Sequence, residues 1–396
     1  MRRSHLLVLA LSLVATTDLT AQRMKLLVPM DSLEARAERD SNDAPTHYEL
    51  ALAYWLGKKY DEAERHLRLA ITIEPHTAPA YLALSYLPYA RRPKLWEEED
   101  RGKVPAEWQA PLEEAWRFRR QAFLMDPFVD LKPLALMIPP ASTLGLRGNA
   151  GAVYTYLMNG FGSFWDGQYG RAYQFFGEIA VKSTETDREQ FASWFLWYEG
   201  LAAAHTDDNA RAEADLRILL ARAEKSAEMG GGAMLAFSAA NHYRYTLACL
   251  LDKAGRSADA IQLLQESLTS DVGLYMAHTR LAAIYDRQHR VQTSLEERRR
   301  AVAASPEDAT LLFELGEALA RVGQLPEAQA VLRQARQANP RNVRALYVLG
   351  FVAQNLGSTD EARDAYQQFL ALAPSRFYEQ KAQAQRRLES LQGGPK

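Results

Sequence analysis

The side chains of this chain that are capable of catalysis or metal binding never fall into a workable spacing. His47, His66, His76, His205, His242, His278 and His289 are scattered, with neither an HExxH pair nor a pair of cysteines, so no zinc ligand set forms along the sequence. Gly160-Phe161-Gly162 and Gly230-Gly231-Gly232 do not cradle phosphate, because neither follows a strand pattern and no GK[ST] is present. No GxSxG elbow offers a nucleophile. His205 with Asp207-Asp208 reads as a helix end and a solvated turn, and Glu97-Glu98-Glu99-Asp100 as a solvated loop. Cys249 is the only cysteine, which excludes an intramolecular disulfide. Within Leu247–Leu251 it reads as a buried, inert thiol, with a reactive or intermolecular thiol as the alternative. The chemistry left is non-covalent recognition. No catalytic residue, metal or cofactor is expected.

The elements that must position any recognition surface are plain. Four blocks of 34 residues run without a gap from Asn241 to Arg376, beginning at Asn241, Tyr275, Ala309 and Val343. At equal offsets Leu315-Gly316 answers Leu349-Gly350, Gly323 answers Gly357, Ala328 answers Ala362, Leu332 answers Tyr366 and Pro340 answers Pro374. The small residues let two helices approach closely, Gly323 and Gly357 fit a helix end that needs φ > 0, and the prolines stop the second helix. A fixed period of this kind means stacked helical hairpins, since one hairpin cannot bury its apolar face alone. The pattern resembles the tetratricopeptide repeat family. Looser copies lie at Ala44–Thr77, Val153–Thr186 and Ser193–Ser226, and a split copy starts at Ala78. The resemblance implies an all-α, right-handed solenoid of about eight repeats. Phe377–Leu391 reads as a final capping helix, and Asp31-Ser32-Leu33-Glu34 has capping-box spacing for a short first helix.

With 396 residues, 47% hydrophobic composition and formal charge −2, the chain has ample material for a core and lacks the basic footprint of a nucleic-acid binder. The run Glu296-Glu297-Arg298-Arg299-Arg300 reads as the solvated face of a second helix. Residues 1–21 have secretory-signal grammar: Arg2-Arg3, then an apolar stretch from Leu6 to Ala15, then small polar residues up to Ala21. The expected organisation is a signal peptide (1–21), a lead-in segment (22–43), an irregular half (44–229), a glycine-rich hinge (230–240), four contiguous repeats (241–376) and a cap with tail (377–396). The mature protein is expected to be exported, periplasmic or secreted.

Two insertions, 89–110 and 128–152, break the period. Pro88 and Pro93 discourage helix in the first, and Pro111 suits the first turn of the helix that resumes. In the family resembled, the first helix of each repeat lines a concave groove, commonly through its second, fifth, ninth, twelfth and thirteenth positions. These positions hold Tyr48, Leu52, Trp55, Leu82, Tyr86, Leu157, Phe161, Phe164, Trp165, Trp194, Trp197 and Leu201 in the first half, and Asp252, Lys253, Asp286, Arg287, Glu317, Arg321, Tyr347 and Gln354 in the second. The carboxylate clamp of some members is not matched, since the fifth and ninth positions include Tyr245 with Cys249 and Phe313 with Glu317. The resemblance therefore implies an adaptor for a protein or peptide partner. Trp165, Trp194 and Trp197 would be apolar anchors supported by Phe161 and Phe164, with Arg287 and Arg321 as polar contacts. Two alternatives stand beside it: a carrier of a lipid or other apolar small molecule, and a self-assembling structural subunit. Whether the insertions fold into the groove, filling it with Trp96, Trp108 and Leu134–Ile138, is left open by the sequence.

Overall fold

The computed structural model describes residues 29–100, 102–130, 152–165, 167–182, 193–225 and 240–392. The leader, the stretch containing Leu134–Ile138 and the Gly230–Gly232 hinge lie outside these residues. The described chain is helical throughout. A first helix, α1 (Met30–Arg39), leads into hairpins α2 (Ala44–Leu56) with α3 (Tyr60–Ile73) and α4 (Ala78–Arg91) with α6 (Ala106–Met125), the short α5 (Leu95–Asp100) lying between the last two. Six more hairpins follow: α7 (Ala152–Trp165) with α8 (Tyr169–Lys182), α9 (Ser193–His205) with α10 (Asn209–Lys225), α11 (Ala240–Lys253) with α12 (Ser257–Ser270), α13 (Tyr275–Arg287) with α14 (Val291–Ala304), α15 (Ala309–Arg321) with α16 (Leu325–Ala338), and α17 (Val343–Asn355) with α18 (Thr359–Leu372). The cap α19 (Tyr378–Gln392) closes the stack. This is the expected solenoid of eight hairpins with a terminal helix.

Local chemistry explains the hairpins. Built onto Gly316, a Cβ would sit 2.6 Å from Cγ of Leu332; onto Gly350, 2.7 Å from the Tyr366 ring. The paired small and large positions of the repeat are thus one contact, a bare helix backbone against a bulky side chain on its partner. Gly323 and Gly357 turn the chain with φ of +79° and +74°, where a side chain would be strained. Asp308 and Asn342 accept from the first-turn amides of α15 and α17, satisfying donors that a helix start leaves unpaired.

Several local expectations need correction. Helix α1 forms, but from an uncapped Pro29; Glu34 instead accepts from the Tyr54 hydroxyl at 2.7 Å, so the capping box is not made. Pro88 lies within α4 rather than ending it, and α6 begins at Ala106, so Pro111 lies inside the helix rather than in its first turn. A helix tolerates such a proline at the loss of one backbone bond when packing elsewhere holds it. Glu297 is not on a solvated face: it is buried, 2.6 Å from Nδ1 of His278, and it also pairs with Arg300.

Each second helix packs on the next first helix, with one exception among the described residues: α6 makes no comparable contact with α7. The stack is interrupted there. The first two hairpins instead touch α9, α11, α13 and the turns near 308, 340 and 375, and this rearrangement shapes the groove.

Candidate partner-binding groove

Among the first-helix side chains, Trp197, Tyr245 and Arg280 face the first two hairpins. Phe123, near the end of α6, meets Trp197 of α9 edge-on at 5.9 Å between ring centroids, and Trp197 meets Tyr243 of α11 at 5.8 Å. Two residues on, Tyr245 donates its hydroxyl to the Leu124 carbonyl at 2.8 Å, and Arg280 donates to the Met125 carbonyl at 2.9 Å. These are last-turn carbonyls of α6, which its own helix leaves without donors. Gln121 reaches the Tyr275 hydroxyl at 2.7 Å. Beyond α6, the Lys253 ammonium lies 5.9 Å from the centre of the Phe128 ring, and Tyr169 bonds Asp130 at 2.9 Å. The aromatic stretch of the groove is therefore filled by the chain itself, through the end of α6 and residues 126–130.

The first insertion is not the filler. Glu99 accepts from the Tyr89 hydroxyl at 2.7 Å and from Nε1 of Trp116 at 2.9 Å, which ties this segment to its own hairpin. Buried Arg119 stacks over Tyr86, Trp116 and Tyr89 in the same hairpin, at 4.8, 5.3 and 5.6 Å. Trp108 is half-buried against the core, and the side chain of Trp96 lies outside the described part.

A second contact closes the chain on itself. Asn42 donates to the Arg341 carbonyl at 2.9 Å. Asn339 donates to the carbonyls of Thr72 and Ile73 at 3.1 and 3.2 Å. His76 and Asp308 are 3.0 Å apart. Ser375 donates twice to Asp40, at 2.8 and 2.7 Å, and Arg376 spans Asp43 and Glu74 at 2.5 and 2.6 Å. No sequence signal marked Asp40, Asn42, His76, Asn339 or Arg376, since each looks like ordinary loop polarity.

Electrostatics follow burial. Burial pushes the Cys249 thiol up, and the Tyr245 hydroxyl beside it up as well. Burial also holds His205 below its usual value and takes His242 down to about 4, with Arg120 adding to the effect on His242.

The tetratricopeptide repeat profile matches residues 245–309 and 313–377, and a second tetratricopeptide repeat profile matches 44–77. These residues are tetratricopeptide repeats. No curated protein matches the chain by sequence. Among solved structures, MamA AMB-1 is similar at 18% identity over 46% of this chain and 92% of that one, with a TM-score of 0.34. The C-terminal part of a TPR repeat-containing protein from Cytophaga hutchinsonii is similar at 13% identity over 57% of this chain and 83% of that one, with a TM-score of 0.45. Tetratricopeptide repeats form a scaffold for protein interaction.

The anchors expected from the sequence divide into three groups. Phe161, Phe164 and Trp197 are buried, at 0, 1 and 1% exposure, and pack as core: Phe161 against Phe176 and Tyr198, Phe164 against Tyr169 and Tyr198. As placed, they offer no ring to a partner, because the neighbouring hairpins already cover them. The side chains of Trp165 and Trp194 lie outside the described part. Arg287 and Arg321 are open, at 56 and 61% exposure, paired with Asp252 at 2.5 Å and with Glu317 at 3.5 Å.

Proposed function

We propose that this protein is an exported, non-catalytic adaptor that holds a protein or peptide partner along the first-helix face of its last repeats, with Arg287 and Arg321 as polar contacts. The observation that carries this reading is the contrast in accessibility along the groove. Its aromatic end is occupied by the chain's own residues, whereas Arg287 and Arg321 stand exposed on first helices of later repeats. The ion pairs that hold these arginines are exposed and worth about 0–1 kcal/mol each. A partner carboxylate can therefore compete for either guanidinium at little cost. Export rests on the signal grammar of residues 1–21. A carrier of an apolar molecule is the weaker reading, because Trp197 and Leu201 are covered by the chain itself.

A photo-crosslinking residue at position 321, compared with one at 197 in the cells that make the protein, tests the reading. A discrete protein adduct from 321 and none from 197 is the expected result. Adducts confined to the chain itself from 321 would refute an adaptor surface there.

A further inference from the structure

Where the chain closes on itself it leaves a half-open cavity of about 300 Å³, between the turn after α3 and the starts of α15 and α17. Its size falls at the lower end of the range of about 300–1,000 Å³ typical of small-molecule sites. It is too small for a helix.

Most of the charges around it are spent. Arg376 is held by Asp43 and Glu74, and His76 by Asp308. Three charges are not. Among the described residues the carboxyl of Glu314 has no hydrogen-bond or ion-pair partner, although it is half-buried on the cavity wall. Arg341 and Arg344 stand exposed at the rim: the Arg341 guanidinium has no such partner among the described residues, and Arg344 lies over the Phe313 ring at 4.8 Å with only a distant Glu317 at 3.8 Å. The Glu314 carboxyl oxygens keep some contact with water in the pocket, which a ligand's ammonium would replace. Burial pushes the Glu314 carboxyl up, although His76, Arg298 and Arg344 pull the other way and Asp308 adds to the rise. The remaining wall is mixed: Ile73, Val343 and Phe377 give an apolar patch, and Thr77, Thr310 and Asn342 are polar.

The cavity thus presents one half-buried carboxylate without a protein partner, two exposed guanidiniums at its rim and an apolar patch. We propose that it is a binding site for a free amino acid with an apolar side chain, its ammonium on Glu314, its carboxylate on Arg341 and Arg344, and its side chain against Phe313 and Phe377. A zwitterion meets both signs of charge at once. A simple anion would face the Glu314 carboxylate, and a simple amine would face the arginines. Because the walls come from the first repeat and from the last two, a bound amino acid would also tie the closure together.

The test is calorimetric titration of the purified full chain with L-phenylalanine and L-leucine, alongside 3-phenylpropionate, which lacks the ammonium, and phenethylamine, which lacks the carboxylate. Binding of the amino acids, with both single-charge analogues at least tenfold weaker, is expected. Glu314→Gln should weaken amino-acid binding at least tenfold while leaving the melting temperature unchanged or higher, since no bond to Glu314 is lost. Arg344→Gln should weaken it in parallel, and Arg321→Ala should not. The proposal is overturned if neither amino acid binds at millimolar concentration. It is equally overturned if 3-phenylpropionate binds as well as L-phenylalanine and keeps its affinity in Glu314→Gln, which would mark a plain anion site.

Discussion

Replacing Trp197 by alanine separates a core residue from a recognition residue. The side chain is 1% exposed and sits between the edges of Phe123 and Tyr243. Truncating a buried tryptophan costs about 3–5 kcal/mol, from lost transfer free energy and from the cavity that rigid helices cannot close. The two edge-to-face pairs, each worth about 0.5–1.5 kcal/mol, belong within that total and place the loss where the first hairpins meet the rest of the stack. The single cysteine supplies the assay. Cys249 lies one turn beyond Tyr245 on α11 and is buried, so a thiol reagent reaches it only when the structure opens there. If labelling follows opening, a loss of 3–5 kcal/mol raises the labelling rate by roughly a hundred- to a few-thousand-fold, at a tenfold change for about 1.4 kcal/mol. Trp197→Phe should raise it far less. Unchanged melting together with unchanged protection of Cys249 would refute the packing argument and return Trp197 to the list of partner contacts.

Three further outcomes follow from the same contacts. Arg287→Ala and Arg321→Ala should change the unfolding free energy measured in urea by no more than about 0.5 kcal/mol, since exposed ion pairs contribute little, while reducing the yield of any partner adduct. Gly350→Ala should destabilise despite alanine's helix preference of about 1 kcal/mol, because its Cβ would lie 2.7 Å from the Tyr366 ring and overpacking costs about 1–3 kcal/mol; adding Tyr366→Leu should recover the loss, and a stabilising single change would contradict the close approach. Stability should fall with acidification, measured by urea unfolding between pH 7 and 4. His66 and His242 are each held down to about 4 by burial, His66 also by His47 and Arg65, so the folded state binds fewer protons than the unfolded chain. Their contribution is complete above the unfolded value of about 6.5 and is lost as pH falls from there to about 4; a flat profile would show that these imidazoles are solvated.

The repeats were legible because their physics is local. Gly316 against Leu332 and Gly350 against Tyr366 are contacts within one hairpin, so a fixed spacing encodes them. The same spacing placed the named positions on the first helices. It could not say what lies in front of them. Trp197 reads alike whether it faces solvent or Phe123, and Phe123 precedes it by more than one repeat. Glu314 was passed over for a related reason: it is one carboxylate among many on helix surfaces until the turn after α3 folds beside it.

The docking of the first two hairpins shows why it left so faint a trace in the sequence. Both contact regions use one device. Helices α3 and α6 each end against the stack, and each end exposes carbonyls that have no donor within the helix. Asn339 supplies donors to Thr72 and Ile73 from 267 and 266 residues away. Tyr245 and Arg280 supply them to Leu124 and Met125 from 121 and 155 residues away. A helix normally announces its end through glycine or a basic residue close by, and the signal can be read there. Here the caps belong to other repeats, where the same asparagine, tyrosine and arginine already pass as ordinary turn or surface residues. The apolar part, Phe123 on Trp197, favours contact without fixing its register, since ring edges tolerate sliding. The carbonyl bonds do not tolerate it: a shift of one residue along either helix end would leave buried acceptors unpaired, at about 1–3 kcal/mol each. Specificity for this arrangement therefore resides in a few distant donors, and the bulk of its stability in rings that any helical repeat could supply.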